Sequence, residues 1–505
     1  MRLEDLDIQT KVGQLFTFSA FGQQLGEQTR RLITELKPGG LFLPTGALHR
    51  PEQVHRLTTD MQTASLGEGS GIPLFISADF VAGAGCKLKQ GGATHFPKNR
   101  AIGAAGDESL AYESGRITAE ESLAMGVNFN YSPVVDINNN PLNPVIGTHS
   151  FGEDRERVSR LGNAIIRGYQ NHGLIATAKH FPGHGDTQVD SHEDLPVLRF
   201  GRERLENFEL MPFKRAIDCG VEAVMVGHIA VPSLDPSMKP ASLSYEITTK
   251  LLREQLCFDG LIVTDGLTMK GVANQYSMED ACVLAVLAGA DILLATMPSF
   301  ETSLSVFQAV VKAVENGTIP MERLNKSVAR ILRTKEKFGL TATAFQAGNL
   351  EPSKLLTLNA RAVNDALAQK AVTPVRGVVQ GCVGAKRDEA WILIHDRNTR
   401  FFADTLAEEI AVTQLETEMY EGVLDLLKEQ ADDGNIIVAV SHNKPMNPEF
   451  LAALDERLEL RKHAVWVHFG SEYDVAGRNH PALLLYDHAP SLQTAAAQYI
   501  LHSKV

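Results

Sequence analysis

The chain is poor in cysteine, and the few it has are far apart. It holds 5 cysteines in 505 residues, with no CxxC spacing among them. Paired cysteines would indicate a zinc or redox site, so the sequence gives no support for either. We interpret all five as reduced thiols of the protein core: Cys86, Cys219, Cys257, Cys282 and Cys382.

Long apolar runs are also missing. The opening residues, MRLEDLDIQTKVGQLF, contain acids and lack an apolar stretch followed by a cleavage signature. No run of about 18 apolar residues, the length needed to cross a bilayer, follows them. We therefore expect no membrane span and a cytoplasmic location.

Positive charge is scarce as well. The 48 Lys and Arg residues are outnumbered by 61 Asp and Glu, which gives a formal net charge of −13. Nucleic acids and anionic membranes would repel such a chain on average. No GxxxxGK or HExxH pattern occurs either. We expect a small saccharide-sized ligand, neither nucleic acid nor membrane as partner, and leave homo-oligomerisation open.

What the chain does contain, up to about residue 340, is a regular alternation. Short apolar runs with the length of buried strands alternate with stretches whose apolar residues recur at helical spacing. Eight such repeats predict an α/β fold, a (β/α)₈ TIM-type barrel over residues 1–340. The eight runs are 13–20, 39–44, 72–79, 127–136, 174–180, 222–229, 260–266 and 291–296.

A second, shorter alternation begins near residue 386. Residues 341–385 are predicted to be a helical linker that runs into a glycine-rich passage (375–386). Four further apolar runs in 386–505 predict a smaller α/β sandwich domain. SHNKP (441–445) and HFGSEYD (468–474) lie at the ends of two of these runs, and we interpret both as solvated loops.

Polar side chains end several of the buried runs in the first part. The carboxyl ends of barrel strands meet around one mouth, so these side chains should converge there. Such a group is costly to hold in a folded protein unless it binds something, which favours a functional site. The residues are Asp79, Asp136, Lys179, His180, His228 and Asp265.

The stretch KHFPGHGDTQVDSHEDLP (179–196) holds three histidines among several acids. It lacks the tight ligand pairs of a zinc site, and it lacks the helix start that a phosphate loop needs. Proton transfer explains more of its residues. Asp190 lies two residues before His192, close enough to accept a hydrogen bond from one ring nitrogen and leave the other facing a substrate.

Asp265 supplies a partner for this pair. It ends a buried run and precedes a glycine, so its carboxylate should project into the barrel mouth. The Asp190 carboxylate favours a protonated imidazole at His192, which can then donate a proton to a leaving group. A fixed carboxylate facing such an imidazole is what double displacement at a sugar carbon requires.

These motifs resemble the β-N-acetylglucosaminidase branch of glycoside hydrolase family 3 over about the first 340 residues. NPVIGTHSFGEDRERV (143–158), IAVPSLDPSMKPASLS (229–244) and LIVTDGLTMKG (261–271) carry the resemblance with the stretch 179–196. It implies a retained anomeric configuration and no metal or organic cofactor. The roles it implies are nucleophile for Asp265, acid/base for His192 with support from Asp190, and sugar binding for Asp79, Lys179 and His180.

The chain departs from the branch in its sugar-binding residues. DFVAGAGCKL (79–88) stands where the branch has Asp-Gln-Glu-Gly-Gly-Arg-Val, with Ala84 at the first arginine and Lys87 near a second. His149 replaces the arginine before Ser-Phe, and Gly266 replaces an aspartate that commonly follows the nucleophile. We expect Lys87 and His149 to contact the sugar in place of the arginines, with altered geometry.

The predicted activity is hydrolysis of a terminal β-linked N-acetylhexosamine from a small saccharide, such as a cell-wall fragment in peptidoglycan recycling. The predicted path runs through a covalent glycosyl-aspartate. Two alternatives stay open. An imidazole repels phosphate less than a carboxylate would, which allows a phosphorylase. The missing arginines also allow a catalytically silent sugar-binding protein.

Overall fold

Eight short strands occur in the first 340 residues, one within each predicted apolar run. The computed structural model describes residues 2–345, 348–376, 380–430, 434–442, 445–461, 463–478 and 480–502. The runs form strands because most of their residues are apolar and nearly all are buried. The strands are Phe16–Ser19 (β1), Gly40–Phe42 (β2), Phe75–Ala78 (β3), Phe129–Asn130 (β4), Thr177–Phe181 (β5), Ala223–Val226 (β6), Leu261–Thr264 (β7) and Leu293–Ala295 (β8).

These strands form two parallel sheets. One has the order β4-β3-β2-β1-β8, and the other has the order β5-β6-β7. Isolated bridges link the two sheets at both ends, from Phe129 to Ile175 and from Val263 to Ile292. The predicted α/β class with parallel sheets is confirmed. The strands form two bridged sheets, whereas the prediction was one continuous barrel sheet.

One buried cluster lies between the two sheets. The Phe75 and Phe129 rings meet edge to face with centroids 5.3 Å apart, and Tyr131 packs 5.4 Å from Phe129. Met225 and Val263 of the three-stranded sheet belong to the same cluster. Both sheets therefore pack their inner faces on one core.

Helices connect the strands, and side-chain caps mark where several of them begin. Asp154 Oδ1 accepts a hydrogen bond from Arg157 N at 2.6 Å, which satisfies an amide that the first turn leaves free. The helical segments are Ile8–Gln14, Glu27–Arg31, Leu32–Leu36, Pro51–Gly67, Asn99–Ala105, Glu108–Ala124, Arg155–Gln170, Arg202–Asn207, Met211–Asp218, Glu246–Gln255, Lys270–Ala273, Met278–Ala288, Phe300–Glu315 and Met321–Lys337.

Two of these helices approach so closely that glycine is required at the contact. A Cβ atom on Gly168 would lie 2.4 Å from the Tyr112 carbonyl oxygen, and one on Gly115 would lie 2.8 Å from the Ile165 carbonyl oxygen. The helices Glu108–Ala124 and Arg155–Gln170 therefore meet backbone to backbone. This contact fixes the helix that leads into β5.

A separate six-stranded sheet follows in the carboxyl-terminal part. Its order is β11-β10-β12-β13-β14-β9, parallel throughout except for the antiparallel pair of β14 with β9. The strands are Thr373–Val375 (β9), Trp391–Asp396 (β10), Val412–Thr417 (β11), Asn435–Ser441 (β12), His463–Phe469 (β13) and Ala482–Leu484 (β14). The accompanying helices are Leu358–Ala371, Arg400–Ala407, Val423–Lys428, Pro448–Glu459, Glu472–Val475 and Pro490–Leu501.

The sequence predicted four of these six strands and missed β9 and β11. Residues 377–379 of the glycine-rich passage and residues 443–444 of SHNKP lie outside the described residues. The interpretation of HFGSEYD as a solvated loop is wrong. Glu472 Oε1 accepts a hydrogen bond from Arg100 Nε at 2.5 Å, which ties this segment to the first 340 residues.

The cysteines are all free thiols, as expected for reduced residues. Their predicted placement in the core is right for Cys282, which is buried, and wrong for Cys257, which is exposed. As for membranes, no helix among the described residues combines the length and the apolar character that a bilayer span requires.

Candidate active site

The predicted site residues gather where parallel strands end. Asp79 directly follows β3, Lys179 and His180 belong to β5, and Asp265 directly follows β7. Asp265 N donates to the Val226 carbonyl oxygen at 3.0 Å, which extends the pairing of β7 with β6 by one residue. The carboxylate therefore leaves from the last fixed position of the strand.

Asp79 and Lys179 form an ion pair across the site. Lys179 Nζ donates to Asp79 Oδ1 at 2.6 Å, and the lysine side chain is largely buried. Burial alone would raise the pKa of the Asp79 carboxyl, but Lys179 outweighs it and lowers that pKa. Lys87 and His149 act in the same direction. Asp79 is therefore ionised and able to accept hydrogen bonds from hydroxyl groups.

Asp265 is an ionised, half-buried carboxylate. Burial would raise its pKa, but His180, His228, the Gly266 amide and Lys179 together lower it by more. The Gly266 amide donates to Asp265 Oδ1 at 2.7 Å, and Lys179 also favours the charged form. The net result is a lowered pKa. A carboxylate held in this way is suited to act as a nucleophile at neutral pH.

His180 is held by Asp136, a strand-end residue to which the sequence assigned no specific role. His180 Nδ1 donates to Asp136 Oδ2 at 2.8 Å, and the backbone amides of His180 and His184 donate to the same carboxylate at 3.1 Å and 2.7 Å. The Asp136 side chain is fully buried. Burial would raise its pKa, but the His180 charge and these donors keep it lowered. The imidazole of His180 is thereby fixed in orientation.

The loop that follows β5 is anchored beneath by His184. Its Nδ1 lies 2.7 Å from Thr187 Oγ1 and its Nε2 lies 3.0 Å from Ser191 Oγ. Burial lowers the pKa of His184 to about 4, so the ring is neutral at physiological pH. Gly185 lets the loop pass close to its neighbour, because a Cβ there would lie 1.8 Å from the Ile137 carbonyl oxygen.

Asp190 and His192 stand at the exposed tip of this loop. His192 Nδ1 and the His192 amide both donate to Asp190 Oδ1, at 2.7 Å and 2.9 Å. The contact matches the one expected from their spacing. The His192 side chain is 62% exposed, so its Nε2 side is open to a ligand.

The loop tip is tied to the segment that carries Asp265. Gly271 N donates to the Ser191 carbonyl oxygen at 3.1 Å, and Lys270 Nζ donates to Glu193 Oε2 at 2.9 Å. Added bulk at Gly271 would press on this contact, since a Cβ there would lie 3.2 Å from the Ser191 carbonyl oxygen. The loop that carries the acid/base candidate His192 is thus bonded to the segment that follows the nucleophile candidate Asp265.

His228 connects these elements from below. Its Nε2 donates to the Gly266 carbonyl oxygen at 2.9 Å, so its Nδ1 accepts from Ser242 Oγ at 2.8 Å. Burial lowers the pKa of His228, in keeping with this neutral form. The ring lies within electrostatic range of both Asp265 and His192.

Lys87 and His149, which stand near the family's arginine positions, lie on the Asp79 side of the site. Lys87 ends the short helix Ala84–Lys87 and His149 ends the short helix Gly147–His149. Burial lowers the pKa of His149 to about 3, helped by Lys98. His149 is therefore a neutral imidazole, a weaker substitute for a charged guanidinium.

Four of the eight predicted site residues, Asp79, Lys179, His180 and Asp265, lie at the ends of parallel strands. The other four lie on short helices or on the loop after β5. The zinc alternative for residues 179–196 lacks support in the geometry, since no three candidate ligands converge anywhere in the described ranges. The sequence placed Asp136 among the strand-end polar residues but assigned no specific role to it, and it assigned no structural role to His184. Asp136 carried a signal because it ends a buried run, whereas the contacts of His184 depend on the path of the loop.

Family comparison agrees with this arrangement. The model described as the Glycosyl hydrolase family 3 N terminal domain matches residues 7–334, which include every predicted site residue. The chain belongs to glycosyl hydrolase family 3. The family resemblance predicted from the sequence is confirmed.

Relatives of this family 3 chain extend the comparison over most of its length. It is 30% identical over 471 residues to Beta-hexosaminidase A of Pseudoalteromonas piscicida, which covers 87% of this chain and 77% of that protein. A family 3 β-N-acetylglucosaminidase structure from Paenibacillus matches with a TM-score of 0.90 and 32% identity, over 98% of this chain and 97% of that one.

A third solved structure, of a β-glucoside phosphorylase, matches with a TM-score of 0.84. It covers 99% of this chain and 93% of that chain, at 23% identity. Likeness at this identity shows a shared fold alone.

Proposed function

We propose that this family 3 protein is a retaining β-N-acetylhexosaminidase that removes terminal β-linked N-acetylglucosamine from small saccharides such as cell-wall fragments in the cytoplasm. The enzyme class predicted from the sequence, a glycoside hydrolase of the β-N-acetylhexosaminidase type, is confirmed by the relatives at 30% and 32% identity. The reaction path, the residue roles, the saccharide and the location are the proposal.

In the first step Asp265 attacks the anomeric carbon and forms a glycosyl ester. His192, protonated at Nε2, gives that proton to the departing glycosidic oxygen, so the aglycone leaves as a neutral alcohol. In the second step the neutral His192 Nε2 takes a proton from water, and the hydroxide attacks the same carbon. The Asp265 ester bond breaks, and both residues return to their starting states. No metal or organic cofactor takes part.

Asp190 keeps the histidine ready for both steps. Its Oδ1 accepts from His192 Nδ1 at 2.7 Å, which leaves Nε2 as the nitrogen that exchanges the proton. It also stabilises the imidazolium that forms when His192 takes up a proton.

The remaining predicted residues are proposed to bind the sugar. The Asp79–Lys179 pair offers a charged acceptor and a charged donor to hydroxyl groups. His180, fixed by Asp136, offers its outer nitrogen. Lys87 and His149, which lie within electrostatic range of Asp79, would contact the sugar beside it.

We also propose the finer architecture predicted from the sequence. The bridges between the two parallel sheets support a closed (β/α)₈ barrel over residues 1–340. The six-stranded sheet supports an α/β sandwich domain over residues 386–505, joined by the segment 341–385. A barrel would bring the strand-end residues to one mouth, as the mechanism needs.

The observation that carries the proposal is the link between the two reacting groups. Asp265 is an ionised carboxylate at a strand end, and the loop with Asp190 and His192 is hydrogen-bonded to the segment that follows it through Gly271. A sugar-binding protein without catalytic activity has no need of this arrangement.

An aryl β-N-acetylglucosaminide supplies the test. The wild-type protein should release the aryl group and yield N-acetylglucosamine whose first-formed anomer, followed by proton NMR, is β. An α anomer formed first would contradict a double displacement. Sugar binding without any aryl release would support the catalytically silent alternative.

Phosphorolysis is the second candidate, favoured by one observation. The acid/base candidate is an imidazole on an exposed loop, which repels phosphate less than a carboxylate in the same place would. Adding inorganic phosphate to the aryl assay decides between the two. Free sugar as the main product supports hydrolysis, and sugar 1-phosphate as the main product supports the phosphorylase.

A further inference from the structure

The carboxyl-terminal sheet grips the segment that leads to the sugar-binding wall. Asp487, three residues after β14, has a side chain only 2% exposed. Its Oδ2 accepts a hydrogen bond from Lys98 N at 3.2 Å, and Lys98 Nζ lies 3.4 Å from its Oδ1. A buried carboxylate with both a backbone donor and a charged partner is a strong, directional attachment.

The next residue passes this attachment on to His149. Asn99 is buried, and its Nδ2 donates to the His149 carbonyl oxygen at 2.8 Å. Lys98 and Asn99 are consecutive, so a shift of one moves the other. A path of hydrogen bonds therefore runs from Asp487 to the short helix that ends in His149.

Other contacts hold the two parts in one register. Arg100 Nε donates to Glu472 Oε1 at 2.5 Å, and the Arg100 guanidinium stacks on the Tyr486 ring at 4.6 Å. Tyr473 Oη donates to the Asn138 carbonyl oxygen at 2.9 Å. Three separate attachments along the ends of β13 and β14 resist sliding of the sheet across the site.

His149 lies within electrostatic range of both Asp79 and Lys179. Lys179 reaches both Asp79 and Asp265, whereas His149 is within electrostatic range of Asp79. A sugar whose anomeric carbon faces Asp265 would direct its most distant hydroxyls, on C4 and C6, toward Asp79 and His149. A neutral imidazole can both donate to and accept from such a hydroxyl.

We propose that Asp487 is a positioning residue for substrate binding: through Lys98 and Asn99 it places His149 against the hydroxyls farthest from the anomeric carbon. The carboxyl-terminal sheet thus sets the affinity of the site for its sugar without touching the reacting atoms. This inference rests on the proposed function.

The test removes the charge of Asp487 without changing its size. Asp487→Asn should weaken binding of N-acetylglucosamine, measured by calorimetry, about tenfold, with kcat for an aryl glycoside kept within about twofold. Lys98→Met removes the ion pair from the other side but keeps the hydrogen bond from the Lys98 amide, so it should weaken binding in the same direction. Together the two changes should cost little more than either alone.

Asp455→Asn is the matched control. It removes a partly buried carboxylate of the same carboxyl-terminal part, which pairs with Arg478 at 3.1 Å. Equal losses in Asp455→Asn and Asp487→Asn would indicate general destabilisation and overturn the proposal. A 6-deoxy or 4-deoxy ligand sharpens the test. At least one of these deoxy sugars should bind the wild-type protein more weakly than N-acetylglucosamine does, and should bind Asp487→Asn almost as well as N-acetylglucosamine does. If both deoxy sugars lose as much affinity in the variant as in wild type, the role assigned to His149 is contradicted.

A crystal structure of unliganded Asp487→Asn separates this proposal from the proposed function. A displaced His149 segment would support positioning, and an unmoved segment would overturn it. A wild-type protein that binds no N-acetylglucosamine would refute the proposed function, while the structural result would still decide the role of Asp487.

Discussion

Two aspartate–histidine pairs in this chain share nearly the same hydrogen bond, and their histidines lie 12 residues apart. His180 Nδ1 lies 2.8 Å from Asp136, and His192 Nδ1 lies 2.7 Å from Asp190. The first pair is enclosed by strand ends, whereas the second stands on a loop tip with a His192 side chain 62% exposed. The local contact does not distinguish them, and their surroundings do.

The surroundings explain why we assign the two pairs different tasks. Asp136 also accepts from two backbone amides, so the His180 ring is held in place and suits binding. Asp190 accepts a hydrogen bond from the His192 amide, two residues further on in the same turn, so this pair can move as a unit with the loop. Proton transfer to a departing group requires such access and freedom more than it requires burial.

The largest expected effect comes from changing the Asp265 carboxylate, the proposed nucleophile. Asp265→Asn should lower kcat/KM for an aryl β-N-acetylglucosaminide by about four orders of magnitude, because the amide is not a nucleophile. Steady-state kinetics gives the value. Asp259→Asn, which changes an exposed acid near the start of the same strand, serves as control. A loss of less than about tenfold in Asp265→Asn would remove the nucleophile assignment.

The next effect distinguishes His192, on the loop, from His180, at the strand end. His192→Ala should slow release of a poor phenol leaving group by about 10²–10³-fold, and release of an acidic dinitrophenol by much less, because the latter needs no proton. The structural histidine His172, at the end of the helix Arg155–Gln170, provides the matched control, and His172→Ala should leave both rates unchanged. Equal losses with both leaving groups would contradict an acid role for His192.

A pH effect should follow from the histidine that joins the two regions. His184 touches Asp136 through its amide and the loop through Ser191. Its pKa is lowered to about 4 in the folded protein, so between about pH 6.5 and pH 4 the unfolded chain binds the extra proton. Stability is therefore lost as the pH falls through this window, by at most about 1.4 kcal/mol per pH unit.

Thermal unfolding of wild type and His184→Gln at several pH values measures this loss. The variant should be less stable at neutral pH and should show a shallower decline in Tm between pH 6.5 and pH 4. Parallel curves for the two proteins would show that His184 does not carry the pH dependence.

The smallest effects come from the two carboxylates themselves, and they should differ in kind. Asp190→Asn should lower kcat about tenfold and lower Tm less than Asp136→Asn does, since His192 is largely exposed whereas Asp136 is fully buried. Asp136→Asn should lower Tm by a few degrees and weaken sugar binding, because it replaces one accepting carboxylate oxygen by an NH₂ group that faces other hydrogen-bond donors. Calorimetry and kinetics on both variants test this difference. Identical behaviour would contradict the separate roles of the Asp136–His180 and Asp190–His192 pairs.

Much of the fold could be predicted because most of its strands lie within short, mainly apolar runs. The missed strands lack that signal. Thr373–Val375 is three residues long with a proline at its centre, and Val412–Thr417 is a polar edge strand that buries no complete face. Edge strands owe their form to one neighbour, which the local sequence does not encode.

The site was predictable to the extent that its chemistry is local or sits at strand ends. Asp190 and His192 are two residues apart, and Asp265 ends a buried run. The hydrogen bond between His180 and Asp136 joins residues 44 positions apart, and the one between Lys98 and Asp487 joins residues 389 positions apart. Each therefore depends on how elements that are distant in the sequence pack together. Such contacts leave no spacing in the sequence to recognise.

The most direct test of the account is to trap its covalent intermediate. An activated 5-fluoro analogue of an N-acetylglucosaminyl donor slows the second step, so the glycosyl-enzyme accumulates and can be digested and sequenced by mass spectrometry. We predict one added sugar on the peptide that contains LIVTDGLTMK (261–270), attached to Asp265. A stoichiometric adduct on any other residue, or turnover without an adduct, would contradict the account.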